Sequence, residues 1–128
     1  MYMATIYNTM NCMTNNPAVT VTLPTARALV IVTAQMSMMG GTSAGNVQGW
    51  TSFAVSGSSN IGATDANALM IGMTGSSTAP DLHEGRASAM VYLNTLTAGS
   101  NTFTLQYKSP GGDIITILNR SITVIPLP

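Results

Sequence analysis

The chain has 128 residues, of which 6% are charged, and four Lys and Arg balance four Asp and Glu. An ordinary soluble domain is roughly 25% charged, so steering toward nucleic acid, an acidic substrate or a charged membrane surface has almost nothing to act through. The 45% of apolar residues is enough to build one core, which excludes disorder of the whole chain.

In chain order, residues 1–16 read as an N-terminal arm or edge strand. Tyr2 to Tyr7 would carry Met3, Thr5 and Tyr7 on one side. Met1-Tyr2-Met3-Ala4-Thr5 has neither the basic start nor the apolar run of a signal peptide. Asn15-Asn16-Pro17 signals a turn, and residues 17–128 read as one domain. Val19, Val21 and Leu23 then alternate with Thr20 and Thr22, the period of a strand with one buried face. Arg27 to Ala34 is apolar on both faces after its first residue. A central strand of a sandwich, or a strand facing a neighbouring subunit, reads this way. Its longest apolar run, Ala28 to Val32, is far too short to span a bilayer.

Residues 39–48 are Gly-, Ser- and Thr-rich without a pattern and predict a long loop. Trp50 to Val55 and Asn67 to Met73 predict strands, and Thr64-Asp65 can cap one helical turn between them. Ala87 to Leu93 and Ile114 to Leu118 predict further strands. So do Phe103, Leu105 and Tyr107, alternating with Thr and Gln, and Ile122 and Val124, alternating with Ser121 and Thr123. Turn signals at Gly40-Gly41, Ser56 to Asn60, Gly75 to Ser77, Ala98 to Asn101 and Pro110 to Gly112 separate these segments. The pattern predicts an all-β protein, an antiparallel β-sandwich.

Chemistry-bearing clusters are few. Asp81, His83 and Glu84 have the residue types of a metal site, and Asp81 could hold His83 as a general base. The favoured reading is a solvated loop leading into the strand at Ala87, because no second His and no G-x-S-x-G elbow accompany it. Gly40 to Gly45 lacks the Lys of a phosphate-binding loop. Ten Met residues include Met36, Met38 and Met39, better suited to packing and mouldable interfaces than to copper. Cys12 is a lone thiol, so no intrachain disulfide forms and synthesis in a reducing cytoplasm is the simpler reading. Trp50 could offer a stacking platform for a sugar, but a core or interface anchor is the favoured reading. Arg27, Arg86 and Arg120 precede apolar strands, placed to meet carboxylates across subunits. No catalytic, cofactor or metal residues are expected. The interface candidates are Tyr2, Met3, Tyr7, Met36, Met38, Met39, Trp50, Arg86 and Arg120.

The run Leu96-Thr97-Ala98-Gly99-Ser100-Asn101-Thr102-Phe103-Thr104-Leu105-Gln106-Tyr107-Lys108, followed by Gly111-Gly112 and by Asn119-Arg120-Ser121-Ile122-Thr123-Val124-Ile125-Pro126-Leu127, resembles the closing strands of small bacteriophage virion proteins. Arg86-Ala87-Ser88-Ala89 belongs to the same resemblance, which covers residues 86–127 and leaves the first 40 unmatched. It implies a jelly-roll-like or tumour-necrosis-factor-like sandwich, often a homotrimer. It further implies a non-enzymatic protein made in the host cytoplasm and carried on the capsid surface of the virion. A single sandwich without a fibre shaft favours a capsid decoration protein that binds the major capsid protein, with no nucleic-acid or membrane partner. The alternative is the receptor-binding tip of a fibre, recognising a glycan through Trp50, Tyr92 or loop Asn and Ser residues.

Overall fold

The structure is a computed structural model that describes residues 16–39, 46–74, 82–110 and 115–128. The expected N-terminal strand, with Tyr2, Met3 and Tyr7, lies outside the described residues, as do Cys12, Asp81 and the Gly40 to Gly45 loop. The strands are β1 (Ala18–Leu23), β2 (Ala28–Met39), β3 (Asn46–Gly57), β4 (Leu69–Thr74), β5 (Leu82–Leu93), β6 (Gly99–Lys108) and β7 (Ile115–Pro126). A 3-10 turn, Asp65–Asn67, precedes β4. Thr64 stands at its start without making a side-chain cap.

The strands form two antiparallel sheets, ordered β1-β6-β3-β4 and β5-β2-β7, so the expected all-β sandwich is the observed fold. Pairing is nested: β3 with β4, β2 with β5, and β1 with β6. A long hairpin folded over on itself gives this order. β7 then adds to the open side of β2. All connections except the β3–β4 hairpin cross between the sheets.

The core lies between the inward faces. Val30, Val32, Ala34 and Met36 of β2 face Phe53 and Val55 of β3 and Phe103, Leu105 and Tyr107 of β6, all fully or almost fully buried. The Phe53 and Phe103 rings are tilted with centroids 6.0 Å apart, a favourable aromatic geometry. Each of the Val, Leu, Met and Phe side chains contributes about 1.5–3 kcal/mol through its removal from water. Met36, expected at an interface, belongs to this core. A Cβ at Gly49 would run into its sulfur, so the glycine opposite provides the room that Met36 fills.

Three further expectations are corrected. The loop expected over residues 39–48 is shorter, because β3 already begins at Asn46. The expected solvated stretch before Ala87 is strand from Leu82 onward, held by continuous pairing with β2. The two C-terminal strands are one strand carrying a bulge. Thr33 pairs with Ser121 but Gln35 pairs with Leu118, so Asn119 and Arg120 together oppose Ala34. Asn119 takes a positive φ of 44° at this bulge. The bulge reverses which parity points inward: Ile115 and Ile117 are buried before it, and Ile122 and Val124 pack on the core after it.

At one end of the sandwich Gly57 has φ +107°, and a Cβ there would lie 2.5 Å from the Ser100 carbonyl oxygen. Only glycine lets β3 turn away so close to β6. The chain then doubles back through a two-way bridge between Val55 and Ile61.

Candidate interaction surface

The two outer faces of the sandwich differ. That of the four-stranded sheet is partly closed by the chain between β3 and β4. Ser52, whose side chain points outward, is nonetheless buried, with its hydroxyl donating to the Thr64 carbonyl at 2.9 Å. Trp50 stands beside it, half-buried. Its indole N–H donates to Gln48 Oε1 at 3.3 Å, and the Lys108 ammonium lies 4.9 Å above its ring while pairing with Asp65. Trp50 is therefore already engaged on one ring face and at its N–H.

The outer face of the three-stranded sheet is open. Register places its outward side chains in cross-strand rows. Tyr92, Leu29 and Ile125 form the first row, and Met90, Ile31 and Thr123 the second. Ser88, Thr33 and Ser121 form the third, where the Thr33 and Ser88 hydroxyls are 2.8 Å apart. The next row holds Arg86, Gln35 and Leu118, and the next Glu84, Ser37 and Thr116. Met90 is 68% exposed, Tyr92 54%, and Leu118 and Ile125 42% each. Four of the five large apolar side chains most exposed among the described residues thus share one face. Side chains so placed are unusual unless something covers them. At the polar end a shallow depression of about 210 Å³ is lined by Gln35, Glu84, Gly85 and Arg86. Asn119, the bulge residue, donates to Gln35 Oε1 there at 2.7 Å.

The interface candidates scatter across these surroundings. Arg86 is exposed on the open face, and Trp50 lies on the opposite sheet. Met38 and Met39 close β2, paired with His83 and Leu82. Arg120 turns inward at the bulge, its guanidinium carbon 5.7 Å from the Tyr107 ring and its Nη1 donating to the Ile117 carbonyl at 3.3 Å. Of Asp81, His83 and Glu84, Glu84 is exposed on β5, and no group of three metal-ligating side chains occurs among the described residues. Leu29, Ile31, Met90 and Ile125 were not among the sequence candidates. The signal for the first two was present in the doubly apolar reading of Arg27 to Ala34.

Burial pushes the Tyr107 hydroxyl from its ordinary pKa of 10.0 up to about 12, against the opposing pull of the Arg120 charge. The unfolded chain therefore loses this proton near pH 10 while the folded chain keeps it. Stability is unaffected below pH 10 and falls between about 10 and 12. Tyr107→Phe removes this contribution, so urea denaturation across that range should give a flatter pH profile for the variant than for the wild type.

Compared with known proteins, the chain matches no protein-family model, no curated protein and no solved structure.

Proposed function

We propose that this chain is a non-enzymatic virion structural protein, a bacteriophage capsid decoration protein that stabilises the shell by binding its outer surface, next to the major capsid protein. The observation that carries this reading is the open outer face of the three-stranded sheet, where Leu29, Ile31, Met90, Tyr92 and Ile125 share one end. A sandwich with a sparsely charged, partly apolar face suits permanent contact with other protein. Its action would be mechanical: area buried across subunit boundaries resists their separation. The fibre-tip alternative draws less support from Trp50, whose ring face is covered by Lys108.

Co-sedimentation with capsids stripped of their accessory proteins tests this reading. Binding should occur without any sugar and change little between low salt and ~1 M, because screening acts on charges that are scarce here. A steep loss of binding with salt, or binding to a glycan array but not to capsids, would refute it.

A further inference from the structure

The open face bears a pattern that selects its occupant. β2 runs along its middle, with β5 on one side and β7 on the other. Among the described residues, the charges on this face are Glu84 and Arg86, both on β5. The outward residues of β7 are uncharged: Thr116, Leu118, Ser121, Thr123 and Ile125. A two-fold axis lying along β2, midway between two copies packed face to face, brings each cross-strand row onto itself with β5 over β7. Leu29 then meets Leu29, Ile31 meets Ile31, and Tyr92 of one copy meets Ile125 of the other. The two apolar rows cover themselves, with Met90 over Thr123, while Glu84 faces Thr116 and Arg86 faces Leu118 of β7. No like charges are brought into opposition, and the chain's zero net charge adds no long-range repulsion between copies.

The area is sufficient. Twelve-residue strands at ~3.3 Å per residue, three abreast at ~4.8 Å, present a face of about 550 Å² in projection. Two copies would cover about 1,100 Å², above the ~1,000 Å² that separates specific interfaces from incidental contacts. The apolar rows lie at one end of the face and Glu84 and Arg86 at the other, with the hydroxyl row of Ser88, Thr33 and Ser121 between them.

We propose that the outer face of the β5-β2-β7 sheet is a two-fold self-association surface, with its apolar contacts at the end that holds Leu29 and Ile31, covered by a second copy of this chain. The inference builds on the reading of this face as a docking surface. It replaces the trimer implied by the resemblance with a pairwise contact.

Sedimentation velocity on the full chain tests it. The wild type should sediment as a dimer, and Ile31→Glu as a monomer. Met90→Glu, at a position exposed enough to tolerate the change, should weaken the dimer at least tenfold while leaving the β-sheet circular dichroism unchanged. In a Cys12→Ser background, Ile31→Cys should oxidise to a covalent dimer, because the axis places the two thiols against each other. A monomer persisting at ~100 µM, weaker than a specific contact of this area requires, would overturn the proposal. So would a trimer, or a dimer indifferent to both Glu substitutions. Capsid co-sedimentation of the same proteins separates the two readings. A dimer that ignores capsids sinks the decoration role alone. A monomer that binds capsids and loses binding on Met90→Glu shows the shell as the occupant, which overturns self-association alone.

Discussion

Replacing Phe103 with alanine is expected to lower the unfolding free energy by about 3–5 kcal/mol. Phe103 has no exposed surface, lies in the middle of the four-stranded sheet and packs its ring against Phe53. Its backbone pairs with Val19 on one side and Val55 on the other, so the surrounding strands cannot collapse into the space it leaves. A domain of this size has about 5–15 kcal/mol in total, so the variant should be marginal at room temperature. Urea denaturation measures the loss directly. A change below ~1 kcal/mol would mean that the two sheets do not pack through this residue.

Asn101→Leu is expected to cost about 2–4 kcal/mol, although the two side chains are similar in size. Asn101 is fully buried at the end of the sandwich where Gly57 turns away. Its Oδ1 accepts from the Ser59 N–H at 2.8 Å, and its Nδ2 donates to the carbonyls of Thr97 at 2.9 Å and Gly99 at 3.1 Å. Ser59 completes the link by accepting the Thr97 N–H at 2.9 Å. One side chain thus satisfies backbone groups of two separate loops. Leucine would leave those groups buried and unpaired, which costs more than the lost hydrogen bonds contribute. Ser100→Ala, the exposed neighbour, should stay within ~0.5 kcal/mol and serves as the control. Equal effects at the two positions would contradict the network.

Most strands were legible because their pattern is local. The Thr–apolar alternation of β1 and β6 needs nothing beyond the pleat to be read. The doubly apolar β2 was legible as a strand with a covered or coverable second face, and the structure leaves that face open at Leu29 and Ile31. Asn101, by contrast, reads as a turn residue from its neighbours Gly99 and Ser100. Its partners are Ser59, 42 positions away, and Thr97 and Gly99 in the turn just before it. Tyr92 and Met90 read as ordinary members of an apolar strand. Their exposure depends on β5 being an edge strand, which is a matter of sheet order.

By itself the amino-acid sequence determined the all-β class, the approximate places of most strands and the scarcity of charge, since each follows from residue types and a period of two. Only the tertiary structure decided that Met36 and Arg120 point into the sandwich. The opening at Gly49 admits Met36, and the bulge at Asn119 changes the parity of β7 just before Arg120. It alone gathered Leu29, Ile31, Met90, Tyr92 and Ile125 on one face. The physical reason is that a strand's pattern shows which residues lie on the same side, while the register between strands distant in sequence decides what that side meets.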